Sequence, residues 1–308
     1  MFPAKENCLE TAPSRYYNQT SMKNKNLGFY VDNLISLALR EDAGRNDLTT
    51  NALIPRNQVS KAYIVVKEKS IIFGLNIAKK IFRKLDPHMQ IHVPHKDGTL
   101  VSPGKRILFL KGRTRAILTG ERAALNFLAH LSAIATKTHS FVVKVRPFKV
   151  QIMDTRKTTP GLRTLEKEAV RCGGGINHRI GLSDLILIKD NHIAACHRQR
   201  KSIQEIMRQI KAKTRKPIEI EVQNLSQFNE ALKAKPDIIL LDNMSLRAMK
   251  QAIASIKKLP KKNRPQVEAS GNIDLDNVRS VAKIGVERIS IGALTHTKKS
   301  IDMSLELI

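Results

Sequence analysis

The sequence has no tryptophan, and aromatic residues fill only 4% of its 308 positions. Proteins that hold single-stranded nucleic acid stack bases on aromatic rings, so that class of binder is poorly supplied here. There are three cysteines, Cys8, Cys172 and Cys196. An odd count without zinc-ligand spacing argues against a disulfide scaffold or a zinc site, and points to reduced thiols in the cytoplasm. No apolar run approaches the roughly 20 residues of a membrane span, so no membrane partner is expected. Acidic residues are scarce too: 27 Asp and Glu stand against 54 Lys and Arg, a formal charge of +27. That surplus favours anionic partners without choosing among nucleic acid, acidic lipid and phosphorylated metabolites. No zinc-finger or RNA-recognition motif accompanies it, so no specific nucleic-acid partner is expected.

What is present is enough for a real core. Hydrophobic residues make up 42% of the chain, and its length suits two domains or a barrel with an appendage. Residues 1–26 are polar, mixed in charge and without the apolar stretch of a signal peptide; they read as a loose extension. A helix is expected over Tyr30–Arg40, then strand-like runs at 62–67, 71–73, 89–93 and 106–110, interrupted by a helix over 76–85. A long helical region, Thr114–Lys144, closes this first part.

From residue 150 the pattern changes. Short β-rich runs at 150–153, 185–188, 218–222, 238–241, 267–269 and 288–291 alternate with helical stretches such as 225–233, 245–257 and 275–284. Their spacing is that of βα units, whose right-handed repetition gives either a barrel or an open parallel sheet. Polar residues follow each run. The first leads to Asp154, Thr155, Arg156 and Lys157, and the second to Lys189, Asp190, Asn191 and His192. The third carries Glu219 and Glu221, two apart and so on one face. The fourth ends at Asp242 and Asn243, the fifth gives Glu268 and Ser270-Gly271-Asn272, and the sixth ends at Ile291-Gly292-Ala293. In a barrel these ends gather at one rim, where chemistry sits.

Each element has a plainer reading. Lys189 alone is an ordinary strand-end lysine, Gly173-Gly174-Gly175 a turn, and Ser132 and Thr136 hydroxyls that bond backbone. His130 and His192 fit no metal spacing. The basic runs 197–216 and 257–264 read as solvated surface, with Ile203, Ile206, Met207 and Ile210 at helical spacing in the first. The set of rim residues is stronger than its members. Arg156, Lys157, His178, Arg179 and Lys189 suit a ligand bearing carboxylates. Glu221 and Asp242 suit hydroxyls or Mg²⁺. The small residues at the last two ends let backbone N–H groups approach a phosphate.

The stretch DTRKTTPGLRTLEKEAVRCGGGINHRIGLSDLILIKDNHI, Asp154–Ile193, resembles the central motif of the quinolinate phosphoribosyltransferase family. GERAALNFLAHLSAIAT at 120–136 is similar to the family's dimer-contact helix, and EDAGRNDLTT, IEIEV, LLDN, EASGNI and ISIGALTH follow in the family's order. Asn46, Ala133 and Ser183 depart from it without removing a proposed ligand group.

The resemblance implies a type II phosphoribosyltransferase fold: an N-terminal α/β sandwich over 27–134 and an incomplete α/β barrel over 135–308, with a final helix returning to the first domain. It implies transfer from phosphoribosyl pyrophosphate to quinolinate with decarboxylation, with Mg²⁺ as cofactor, in a cytoplasmic homodimer whose Arg122 crosses the interface. Quinolinate would be held by Arg122, Arg156, Lys157, His178, Arg179 and Lys189, with Thr155 beside them. The ribose hydroxyls and Mg²⁺ would face Glu221 and Asp242, and the 5-phosphate would sit on Ser270, Gly271, Asn272, Ile291, Gly292 and Ala293. Lys157, Lys189, Glu221 and Asp242 are the expected catalytic groups.

Overall fold

The computed structural model describes residues 24–44, 46–297 and 299–308. The described chain divides into two compact units, one of 24–137 with 299–308 and one of 138–297. Most of the expected loose extension lies outside the described residues, and from Asn24 the chain is helical.

The first unit contains α1 (Asn24–Ala43), α2 (Leu48–Leu53), β1 (Val59–Val66), β2 (Ser70–Ile71), α3 (Leu75–Leu85), β3 (Gln90–His92), β4 (Leu100–Val101), β5 (Arg106–Arg113) and most of α4 (Thr114–Lys144). In β1, Ala62, Ile64 and Val66 alternate inward and are almost fully buried, the period-2 signature of a half-covered strand. Asp47 caps α2 by accepting from Thr50 N at 3.0 Å. Asp97 caps α3 from a distant loop, accepting from Gly74 N and Leu75 N at 3.0 and 3.1 Å. The hydroxyls of Ser132 and Thr136 accept from Phe73 N and Ile71 N, 3.0 and 2.9 Å. They hold β2 and its exit against α4, as the backbone-bonding reading expected.

The second unit is a repeat of strands and helices. Its elements are β6 (Gln151–Met153), α5 (Arg163–Cys172), β7 (Ile186–Ile188), α6 (Asp190–His197), α7 (Ile203–Lys213), β8 (Ile218–Val222), α8 (Leu225–Lys233), β9 (Ile238–Asp242), α9 (Leu246–Lys257), β10 (Gln266–Ser270), α10 (Val278–Ile284), β11 (Arg288–Ser290) and α11 (Ala293–His296). Its six strands form one sheet in the order β6-β11-β10-β9-β8-β7, all parallel. Among the described residues no ladder joins β7 to β6, so the barrel is incomplete. Only a single parallel bridge, Met153 to Ile176, extends the sheet beyond β6. On α7, Ile203, Ile206 and Met207 are buried beneath the basic surface.

The chain ends differently from expectation. The last element is a strand, β12 (Met303–Leu307), not a helix. It pairs antiparallel with β1, Tyr63 opposite Glu306, and completes the first unit's sheet in the order β12-β1-β5-β3. Its alternating Met303-Ser304-Leu305-Glu306-Leu307 is a strand pattern. Among the described residues no helix is long and apolar enough to cross a membrane.

Candidate active site

A cavity of about 740 Å³ opens at the carboxyl ends of the six parallel strands. Every residue expected to hold a substrate lines it except Arg122. The exit of β6 supplies Thr155, Arg156 and Lys157, and the segment before β7 supplies His178 and Arg179. Lys189 follows β7, Glu221 lies near the end of β8, and Asp242 ends β9. Ser270, Gly271 and Asn272 follow β10, and Ile291, Gly292 and Ala293 follow β11. Arg122 is exposed on α4 in the first unit and is not among the lining residues.

The geometry suits anions. Arg156 is half-buried, and its Nε is buried without a hydrogen-bond partner among the described residues. A buried guanidinium donor without an acceptor is costly, so a ligand acceptor there would recover that cost. Lys189 Nζ lies 3.3 Å from Glu221 Oε2. Burial raises the Glu221 pKa, Lys189 pulls it back, and Asp242 adds to the rise. Asn243 Nδ2 donates to Asp242 Oδ2 at 3.0 Å, and Asn272 Nδ2 donates to Asn243 Oδ1 at 3.0 Å. Gly271 has φ +90°, and Asn243 and Asn272 are themselves left-handed, with φ 53° and 49°. A side chain at 271 would run into Asn243, so only glycine lets these backbones approach.

Beneath the rim lies a layer of buried charge. In β8, Ile218, Ile220 and Val222 take one face, leaving Glu219 and Glu221 on the other. Glu219, Glu268 and Arg288 are at most 1% exposed, and Glu268 stands opposite Arg288 in the ladder. His178 sits among them, its Nε2 3.2 Å from Glu219 Oε2 and 3.5 Å from Glu268 Oε1. Its Nδ1 accepts from Arg179 N at 2.8 Å. Burial opposes charge on this ring and Glu268 and Glu219 favour it, but a charged ring would set an Nδ1–H against the Arg179 N–H. The backbone bond decides the tautomer: a ring whose Nδ1 accepts carries its proton on Nε2. An Nε2–H donates to carboxylates and cannot ligate a metal. His178, Glu219 and Glu268 lie close enough to suggest a metal cluster, but this tautomer makes them a hydrogen-bonded support.

A second buried pair holds the segment that carries His178. Lys167 Nζ meets Asp154 Oδ1 at 2.5 Å and donates to His178 O at 3.0 Å. Asp154 Oδ1 also accepts from His178 N at 2.8 Å. Burial pushes Asp154 up to about 6 and pulls Lys167 down. Asp154 therefore turns inward rather than toward the cavity. Asp190, Asn191 and His192 do not line it either, and His192 Nδ1 accepts from Lys189 N to begin α6. Gly173–Gly175 closes α5 as a turn, with Gly175 packed against Thr138 and Val170.

Some lining residues were not expected from the sequence. Leu187, Ser290 and His296 line the cavity. Period-2 counting from the end of β11 places Ser290 on the same face as Arg288; nothing local marked His296.

Comparison with known proteins was consistent in sequence and fold. The family model described as quinolinate phosphoribosyl transferase, N-terminal domain, matches residues 47–132, and the corresponding C-terminal domain model matches residues 134–306. A probable nicotinate-nucleotide pyrophosphorylase [carboxylating] of Bacillus subtilis is 42% identical over 269 residues, covering 87% of this chain and 90% of the relative. One from Synechocystis sp. is 38% identical over 278 residues, covering 90% and 92%. The solved nicotinate-nucleotide pyrophosphorylase from Francisella tularensis superposes with a TM-score of 0.84 at 38% identity, covering 91% of this chain and 96% of that one.

Proposed function

The chain belongs to the quinolinate phosphoribosyl transferase family, and from that premise we infer that its cavity joins two anionic substrates. The reaction is phosphoribosyl transfer from phosphoribosyl pyrophosphate to quinolinate, releasing pyrophosphate and CO₂ and giving nicotinate mononucleotide for NAD biosynthesis. The observation that carries this reading is the convergence of Arg156, Lys157, Arg179 and Lys189 on one cavity whose far side is built of small residues.

In this reading Arg156 and Arg179 grip the quinolinate carboxylates. The backbone at Ser270–Asn272 and Ile291–Ala293 cradles the 5-phosphate. His178 acts through its neighbours: both ring nitrogens are engaged by the protein, so it positions Arg179 rather than touching substrate. As pyrophosphate departs, positive charge builds on the sugar, and Glu221 and Asp242 stand where they stabilise it. The quinolinate nitrogen attacks the anomeric carbon; the cationic ring then releases the adjacent carboxylate as CO₂, its electron pair stays on the ring carbon, and that carbon takes a proton from water. Like charges about 4 Å apart repel by about 4 kcal/mol at an effective dielectric near 20. Lys157 and Lys189 offset that repulsion and hold the reactants together.

The acid pair also fits Mg²⁺. Glu221 is partly buried yet lines the cavity, and Asp242 repels it, as two carboxylates awaiting a cation would. When bound at Glu221 and Asp242, directly or through water, Mg²⁺ offsets charge on the pyrophosphate group. Arg122, distant in sequence from the lining residues, would reach the quinolinate of a partner subunit in a homodimer. The cytoplasm is the expected compartment.

The test is an assay with quinolinate, phosphoribosyl pyrophosphate and Mg²⁺ that follows CO₂ and mononucleotide together. Equal use of nicotinate, without CO₂ release, would refute the substrate assignment. Mixed dimers of Arg122→Ala and Lys189→Ala chains should regain activity if Arg122 crosses the interface; verified mixed dimers that stay inactive would reject the crossing.

A further inference from the structure

All six strands of the second unit run in one direction, so the cavity occupies one rim and the segments leading into the strands lie at the other. Five of those segments, residues 144–150, 211–217, 233–237, 257–265 and 283–287, lead into β6, β8, β9, β10 and β11. They contain fifteen Lys and Arg and only two acids. All fifteen cations are exposed. The two acids do not answer them, because Asp237 Oδ2 accepts from Ile218 N and Glu287 Oε2 from Val267 N, each at 2.8 Å. Among the described residues none of the fifteen has a carboxylate within 4.0 Å. Those that do bond, bond backbone: Lys211 Nζ donates to Lys235 O at 2.8 Å, and Arg264 to Leu259 O and Lys257 O. Such bonds fix the cations in place and leave their charge uncompensated.

These segments carry a net +13 of the chain's +27 on the face away from the substrates, where catalysis has no use for it. We propose that this rim docks the phosphate backbone of double-stranded nucleic acid, without regard to base sequence. Duplex DNA offers one negative charge per roughly 1.7 Å of axis, a match for a broad array of fixed cations. No large exposed apolar side chain lies in the five segments to enter a bilayer. Their one aromatic residue, Phe148, lies under the Arg279 guanidinium at 5.5 Å, so it is not presented for stacking on unpaired bases.

The experiment measures binding of the full chain to labelled duplexes of two unrelated sequences by fluorescence anisotropy, from about 50 to 200 mM salt. Both duplexes should bind alike, with log affinity falling against log salt at a slope of about −4 or steeper. A variant with Lys257, Lys258, Lys261, Lys262 and Arg264 all changed to Gln should lose at least about tenfold in affinity and show a slope shallower by about 3. Its phosphoribosyl transfer should stay parental, since none of the five lines the cavity. The same change at Lys211, Lys213, Arg215 and Lys216 should weaken binding independently. Undiminished binding by both variants overturns the proposal. So does preference for one sequence, or tighter association with vesicles of anionic lipid than with duplex. The readout is binding alone, so an error in the catalytic assignment would not imitate any of these results.

Discussion

Replacing Gly271 with Ala tests whether the backbone crowding after β10 builds the phosphate end of the cavity. The added Cβ would lie 2.2 Å from Asn243 Oδ1, 2.5 Å from its Cγ and 2.8 Å from its backbone N. The side chain of Asn243 can swing away, but its backbone is held by a bond from Asn243 N to Ser270 O, 2.9 Å. Swinging the amide breaks its bonds with Asn272 and Asp242, each worth about 1 kcal/mol. The left-handed backbone at φ +90° adds about 1 kcal/mol of strain. Together the cost is roughly 3 kcal/mol. Gly161 is the control: its φ is +77°, and nothing lies within 4 Å of a Cβ there. Ala at 161 should cost only the strain, about 1 kcal/mol. Urea unfolding should thus separate the two variants by about 2 kcal/mol. Steady-state kinetics on Gly271→Ala should show KM for phosphoribosyl pyrophosphate raised at least about tenfold, with KM for quinolinate unchanged. Two variants of equal stability, or a rise in quinolinate KM alone, would refute the reasoning.

Glu221→Gln should reduce transfer strongly yet raise the thermal midpoint at neutral pH. Glu221 has its pKa raised in the folded chain, so the folded state binds its proton more readily and stability falls as pH climbs through the raised value; a midpoint at or below the parent's counts against this. The parent's acid limb of kcat/KM should lie above the ordinary Glu range for the same reason. Nitrogen NMR of His178 should show protonated Nε2 and unprotonated Nδ1, unchanging from about pH 6 to 8; an imidazolium signal in that window would contradict the Arg179 bond.

The sequence made the rim legible because parallel βα repetition sends every strand end to one place. The six β-rich runs of the second half and helix α4 needed only hydrophobic period and turn residues, and β8 and α8 appear with the expected bounds. The buried layer was harder. The pairing of Glu219 and Glu268 with His178 depends on the register of strands far apart in sequence, which spacing along one segment does not encode. Arg288 opens the last β-rich run with nothing beside it to mark burial, yet it is among the most buried side chains; its position opposite Glu268 explains that. Asp154 looked like a rim carboxylate because its neighbours are. Lys167, thirteen residues later on α5, captures it instead. The last strand was missed because five residues of strand pattern gain their meaning from β1, some 240 positions earlier.

That final strand ties the order of synthesis to the order of assembly. The sheet containing β1, β5 and β3 keeps an unpaired edge along β1 until the whole second unit has been made and residues 303–307 arrive. An open edge is a template for the wrong strand. A chain cut short before Met303 would carry intact rim residues on a unit of its own, and its sticky flank would remain bare. Loss of residues 303–307 would therefore be felt as aggregation through a sheet whose first strand lies some 240 positions earlier.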